Sequence, residues 1–407
     1  MRGLAAGMFR IVFITPERLS SPRFRTILRG IERPLVAVDE AHCISEWGHD
    51  FRPEYLRIGE LLRELPPQRI LACTASATPR VRAEILERLD LPSETRQIVL
   101  GFARPNLSLS IRRVRTNAKR DQVVDATLRD ALGHPRAPEG RPNTRLARTG
   151  LGAGSAIVYA PTRRAVETEA RRLARDGWSC RAYHAGLPSE VRAEVQARFT
   201  DGSLNVVVAT NAFGMGIDRP DVCLVIHLGP PGSIESYYQE VGRAGRGGDA
   251  ARGLLLISPR EIALRRKMAQ NASVPEPGNE TRPGKGSSGD GATASSSPDG
   301  ATGPGPPKSN GDAVSPDATE SADRRRRLFE DLMRWANGGR CRHDGLLAYF
   351  GEQPARWGCG RCDVCVRRQA WKRPFLTLAR LRRKYTTLAD PDQREVAVLS
   401  EAESDPS

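Results

Sequence analysis

Short apolar runs alternate with amphipathic helical stretches as far as residue 260, and this alternation constrains the fold more than any other feature of the chain. A strand written as an unbroken apolar run is buried on both faces, and helices must cover those faces. The pattern specifies parallel βαβ units, so the fold class is α/β. Buried strands are expected at 10–15, 34–39, 69–74, 155–159, 179–183, 204–210, 221–227 and 253–258. Residues 163–176 and 190–199 read as helices between them, giving two α/β layers.

The remainder connects or decorates these layers. Residues 113–154 are poor in large apolar side chains and carry a Pro/Arg/Gly run at 135–154, which reads as a connector with an irregular insertion. In the stretch 271–322, 26 of 52 residues are Gly, Pro or Ser, and Val274 and Val314 are its only large apolar residues. It cannot bury enough surface to offset its ordering entropy and is expected to be a disordered linker. As a flexible coil its ends would lie on the order of 40 Å apart. A helix resumes at 324–336 and is ended by Gly338 and Gly339. The tail is basic over 367–384 and then acidic to 407.

With 63 Lys+Arg against 48 Asp+Glu the net charge is +15, which favours a polyanionic partner and is equally compatible with solubility alone. No window reaches the roughly 18 unbroken apolar residues of a spanning helix. The apolar start from Leu4 to Phe9 is cut by Arg10, so no secretory signal is expected and the cytosol is the expected compartment. Cys43, Cys73, Cys180 and Cys223 are scattered, whereas Cys341, Cys359, Cys362 and Cys365 cluster. Clustering of that kind points to a metal rather than to a disulfide framework.

The apolar run Leu35 to Val38 delivers Asp39 and Glu40 to a strand's carboxyl end, where open α/β sheets bind ligands. An aspartate there can hold magnesium through its waters, and a neighbouring glutamate can orient and deprotonate an attacking water. A helix N-cap followed by a second acid is the plainer reading of the same pair. Thr74 to Thr78, with Ser76 inside it, ends the next strand with small hydroxyl residues suited to a hydrogen-bonded link towards a moving neighbour. In the second layer a strand end leads through a glycine-bearing turn to Asp218, and Arg243 and Arg246 follow at a spacing that puts both on one helical face. A solvated basic face would look the same.

The cysteine cluster runs Cys341, 17 residues, then Cys359, Cys362 and Cys365 at CxxCxxC spacing. Three such thiolates converge on one ion if the chain turns tightly, and a helix brings back the fourth. Buried free cysteines and an iron-sulfur cluster are the alternatives.

In this order the motifs resemble those of the superfamily 2 helicases and, within them, the RecQ-type DNA helicases. The stretch Asp39-Glu40-Ala41-His42-Cys43-Ile44-Ser45-Glu46-Trp47-Gly48-His49-Asp50-Phe51-Arg52-Pro53-Glu54-Tyr55 looks like motif II running into that family's aromatic-rich loop. Ala160 to Arg163, Tyr183 to Leu187, Phe213 to Asp218 and Tyr237 to Arg246 resemble its second-domain motifs. The likeness covers 8–112, 155–260 and 323–366. It implies two RecA-like parallel-sheet domains, the first incomplete, plus a small helical zinc-binding subdomain. The corresponding segments are 1–112, a connector 113–154, a second domain 155–260, the linker 271–322, the zinc subdomain 323–366 and the tail 367–407.

The resemblance also implies roles. Asp39 becomes the magnesium aspartate, Glu40 the acid that activates water, and Arg243 and Arg246 the fingers on the γ-phosphate of ATP. Gln239, Ser76, Thr78 and Asp218 would couple the cleft to DNA. Trp47, His49, Phe51 and Arg52 would sense single-stranded DNA, consistent with base stacking on aromatics beside a cation. Glu46 stands where the family commonly has glutamine, and an acid there repels phosphate. His184 and His227 read as satisfied histidines at strand ends. Four thiolates leave no open position, so Zn²⁺ would be structural. Forked as well as single-stranded DNA is the implied partner, no membrane is, and the implied motion is 3′ to 5′ in a cytoplasmic, nucleoid-associated setting.

A phosphate loop needs GxxxxGK[ST] between strand and helix. Of the six lysines only Lys285 follows a glycine, and Gly286 stands where Ser or Thr is required. The family places that loop and an adenine-recognising segment ahead of residue 1. About half of the first domain is therefore expected outside these residues, on an upstream segment or a separate chain, leaving strand edges and apolar faces uncovered. The 42 residues after Cys365 are too few for the winged-helix and HRDC modules of longer relatives. No ATPase activity is expected of the 407 residues alone. A reading from another class is a non-catalytic DNA-binding or strand-annealing module built from the second domain, the zinc subdomain and the basic stretch. Retention of Asp39, Glu40, Arg243 and Arg246 favours the enzyme.

Overall fold

The computed structural model describes residues 2–31, 35–48, 50–64, 69–133, 154–214, 218–270, 316–354 and 358–372. The first lobe contains α1 (Arg2–Ala5), α2 (Pro22–Arg29), β1 (Leu35–Val38), α3 (Leu56–Glu64), β2 (Arg69–Ala72) and α4 (Pro79–Arg88). Strands β1 and β2 are parallel, with Leu35 opposite Arg69 and Val38 opposite Ala72. Each helix offers a narrow apolar stripe to them: Phe24 and Leu28 on α2, Ile58, Leu61 and Leu62 on α3, Val81 and Ile85 on α4. These spacings of three and four residues fall on one helical face.

The opposite face of this two-stranded sheet carries exposed apolar residues, with Leu35 at 66% and Leu71 at 50% exposure. Residues 10–15, expected as a buried strand, form none. Ile11 and Phe13 are exposed instead, because β1 and β2 take their ladder bonds from each other and neither pairs with this segment.

The second lobe is a six-stranded, wholly parallel sheet of β3 (Leu107–Arg113), β4 (Ser155–Tyr159), β5 (Cys180–Tyr183), β6 (Val206–Ala209), β7 (Val222–His227) and β8 (Ala251–Ile257), in the order β3-β8-β7-β4-β6-β5. The chain leaves β4 towards β6 and β5 on one side, while β7 and β8 lie on the other. A crevice therefore opens at the carboxyl ends between β4 and β7. Helices α5 (Asn117–Leu132), α6 (Arg163–Arg175), α7 (Ser189–Thr200) and α8 (Ile234–Val241) belong to this lobe.

Two sequence boundaries shift. All but the last residue of strand β3 falls inside the segment 1–112, yet the strand pairs along its whole length with β8, since buried Leu107 and Leu109 alternate with Ser108 and Ser110 in the period of an edge strand. The connector 113–154 is not irregular throughout. Thr116 caps α5, and Val124, Leu128 and Ala131 recur on one face and are buried. Its residues 134–153 lie outside those described.

Helices α9 (Pro259–Gln270), α10 (Pro316–Asn337), α11 (Arg342–Tyr349) and α12 (Asp363–Lys372) complete the described chain. Helix α10 starts inside the expected linker, with proline as its first residue, a position where its missing N–H costs nothing. The rest of that linker and the tail from 373 onward lie outside the described residues. Phe329, Leu332, Met333, Leu346 and Phe350 join one core with Leu109, Tyr237 and Leu255 of the second lobe. The Asp363 carboxylate accepts the Ile111 amide at 3.3 Å and Ser108 donates to the Arg361 carbonyl at 2.9 Å, which covers the β3 edge. Among the described residues no helix is long and apolar enough to cross a membrane.

Candidate active site and metal centre

Strand β1 ends at Val38 and hands Asp39 and Glu40 to a tight turn. Both side chains are exposed, and the Asp39 carboxylate accepts the Glu40 amide at 2.8 Å. Glu40 adopts the left-handed conformation, φ 47° and ψ 42°, which costs an L-residue roughly 1–2 kcal/mol. Its carboxylate lies 3.3 Å from Nδ1 of buried His42, and the same Nδ1 is 2.9 Å from the Thr74 hydroxyl at the end of β2. His42 thus ties the acid of one strand end to the hydroxyl of the next. Thr78, grouped with the coupling residues, caps α4 by accepting the Val81 amide at 3.3 Å.

On the second lobe, Ser233 caps α8 by accepting the Ser236 amide at 3.1 Å, and the turn after α8 carries both arginines. Arg104 holds that turn by donating to the carbonyls of Gly242 at 3.0 Å, Ala244 at 2.7 Å and Gly245 at 3.0 Å. Arg243 donates through Nη1 to the Gly214 carbonyl, while its buried Nε finds no acceptor. A Cβ at Gly214 would overlap that guanidinium, so only glycine lets it lie against the backbone. Arg246 stands 3.5 Å from Asp218. His227 bonds Glu240 through Nε2 at 2.8 Å and so fastens β7 to α8, while its buried Nδ1 finds no partner, so the expected satisfied histidine is satisfied at one nitrogen only. His184 departs further from that expectation: it is buried 3.3 Å from Glu167, yet neither ring nitrogen is hydrogen-bonded.

These groups meet across one cleft of about 460 Å³, where Glu40 and Ala75 of the first lobe face Arg104, Gln239, Arg243 and Arg246 of the second. Gln239 crosses it, donating to buried Ser76 at 2.8 Å. Asp39 is outside the lining, one residue from it.

The four clustered cysteines place their sulfurs within 4.8 Å of one another, and two pairs, Cys341 with Cys362 and Cys359 with Cys365, are 4.0 Å apart. A tetrahedral ion with zinc-thiolate bonds of about 2.3 Å spaces its sulfurs by about 3.8 Å. An iron-sulfur cluster would force inorganic sulfide and several irons between them, so the donor set fits a single ion. Backbone amides of Cys359, Cys362 and Cys365 point at the sulfurs of Cys341, Cys359 and Cys362, at 3.2 to 3.4 Å. Hydrogen bonds among the sulfurs push the Cys362 thiol down and the Cys341 thiol up, so these sulfurs share their protons as one unit. The ion pair of Arg342 with Asp363, 2.9 Å and almost wholly buried, braces the two halves of the site.

Three family comparisons coincide with these units. The DEAD/DEAH box helicase family matches residues 2–85, the helicase conserved C-terminal domain matches 146–248, and the RecQ zinc-binding family matches 309–366. The chain belongs to the RecQ-type superfamily 2 helicases. It is 40% identical to the ATP-dependent DNA helicase RecQ of Bacillus subtilis (strain 168) over 68% of its own length and 43% of that protein's. With the ATP-dependent DNA helicase RecQ of Pasteurella multocida (strain Pm70) it shares 32% identity over 89% of its length and 46% of the relative's. It thus spans rather less than half the length of these curated relatives.

In this RecQ-type chain the aromatic-rich loop is half buried rather than open. The Trp47 ring lies beneath the Arg80 guanidinium at 3.2 Å, and Arg52 pairs with Asp50 at 2.9 Å beside half-buried Phe51. His49 is outside the described residues. The motif spacing did not single out Arg104 or give His42 a task. Arg104 sits in a proline-flanked stretch without periodicity, and its three acceptors are more than 130 residues away.

Proposed function

We propose that this chain forms part of the motor of an ATP-dependent DNA helicase that moves 3′ to 5′ on single-stranded and forked DNA in repair and recombination, in the cytoplasm at the nucleoid. The observation that carries this reading is the shared cleft, with a carboxylate from one lobe and two guanidinium groups from the other. When bound, ATP would supply the triphosphate and Mg²⁺ would supply the charge that neutralises its oxygens. Asp39 would hold the ion's waters. Glu40, steadied by His42, orients the attacking water and takes its proton. Arg243, with an unspent Nε, and Arg246 offset charge as the terminal phosphate departs. The Gln239 to Ser76 bond carries closure of the cleft to the hydroxyl segment ending β2. Thr78 fixes the start of α4 and Asp218 orients Arg246. Trp47, His49, Phe51 and Arg52 form the DNA-sensing loop, and the four-cysteine zinc site is structural.

The 407 residues contain no phosphate loop, so we assign that cradle to residues outside them. Purified protein of this sequence should bind oligothymidine in a salt-sensitive, nucleotide-independent way and turn over no ATP. DNA-stimulated turnover that vanishes in Glu40→Gln would contradict the missing cradle, and failure to bind DNA at low salt would contradict the helicase reading. A second reading, a non-catalytic DNA-binding or annealing module, rests on the second lobe and the zinc subdomain sharing one core. Strand annealing that is unchanged by Arg243→Ala and Glu40→Gln would support it.

A further inference from the structure

Helix α4 presents Arg80, Glu84 and Arg88 at four-residue spacing, which is a single face. All three contact residues 45–47, where the aromatic-rich loop begins. Glu84 accepts the Ser45 hydroxyl at 2.8 Å, Arg88 lies 3.5 Å from Glu46, and Arg80 covers Trp47. From the other side α10 brings Arg324, whose guanidinium is 3.1 Å from the second Glu46 oxygen and 5.8 Å from the Trp47 ring centroid. Glu46 therefore bridges a first-lobe helix to a helix packed on the second lobe, and Arg324 is largely buried in doing so.

We infer that Glu46 is a positioning residue that latches the Trp47 loop to α10, and that a single-stranded DNA phosphate opens the latch by replacing the Glu46 carboxylate on Arg324. A glutamine at position 46 could hydrogen-bond but would carry no charge to neutralise Arg324 and Arg88 together. With glutamate, Arg324, the cation closest to the Trp47 ring after Arg80, holds the Glu46 carboxylate at 3.1 Å and the Glu320 carboxylate of its own helix at the longer 3.9 Å, so DNA must displace the Glu46 carboxylate before it gains that contact. The latch itself stands on geometry. Its DNA partner rests on the helicase reading above.

The test uses the full chain and a double-mutant cycle of Glu46→Gln and Arg324→Gln. The first readout is hydrogen exchange without DNA in residues 44–48 and 319–327. Each single variant should speed exchange in both segments about two- to fivefold, the range for a partly exposed ion pair, and the double variant should add nothing further. The second readout is oligothymidine affinity. Glu46→Gln should tighten binding by a similar factor and Arg324→Gln should weaken it, with both differences shrinking as salt rises. A purely structural bridge would move both variants the same way. Additive exchange, or exchange unchanged in α10, overturns the latch. Coupled exchange with unaltered oligothymidine affinity keeps the latch and overturns the DNA reading of the loop.

Discussion

Glu40 holds an expensive backbone conformation at the place where the chemistry is proposed, a combination typical of residues whose geometry the surrounding structure dictates. Glu40→Gly and Glu40→Ala both delete the carboxylate, so their difference isolates the backbone. The glycine variant should be more stable by about 1 kcal/mol in chemical denaturation. Equal stability would remove the left-handed turn. Thiol chemistry gives a second check. Burial, and then the charge of Asp50, pushes Cys43 up to about 12, and burial pushes Cys180 up to about 12, whereas Cys73 is exposed. Among these three, maleimide at neutral pH should label Cys73 first, read by peptide mass mapping. The Asp39-Glu40 pair was legible because an apolar run ending in acids marks a strand end. The twist at Glu40 was not, because glutamate has no left-handed preference and only the tertiary fit imposes it.

At the scale of elements, the buried central strands β4, β6 and β7 were legible because their apolar runs are unbroken: β4 falls where expected, and the edges of β6 and β7 moved by at most two residues. Strand β3 was missed because edge alternation of leucine with serine is a weaker signal than an apolar run, and α5 because its apolar face is only three residues. Segment 10–15 read as a strand for its composition, but a strand needs a partner that composition cannot supply. Gly253 of β8 shows how tightly helix and sheet fit. A Cβ there would overlap Val241 of α8 and press on Leu109 of β3. Gly253→Ala should cost about 1–3 kcal/mol by overpacking, measured by urea denaturation. An unchanged midpoint would mean that α8, and the arginine turn after it, packs elsewhere.

At the scale of the molecule, the cysteine spacing revealed the metal site but not its docking. The core shared by Phe329, Phe350 and Tyr237 makes the zinc subdomain part of the second lobe rather than a tethered appendage. Chelation should therefore lower the melting temperature of that lobe and expose the β3 edge, with faster amide exchange at Ile111. A melt insensitive to chelator would show that the cluster carries no structural metal. The convergence of both lobes on one cleft was legible only through motif order, since no local pattern can bring residue 40 to residue 243. It is tested most directly by a crystal structure with magnesium and inorganic tripolyphosphate. The expected result is the anion held by Arg243 or Arg246 and facing Glu40, with Gln239 still within hydrogen-bonding reach of Ser76. An anion bound elsewhere, or lobes whose acids and arginines open onto separate surfaces, would contradict it.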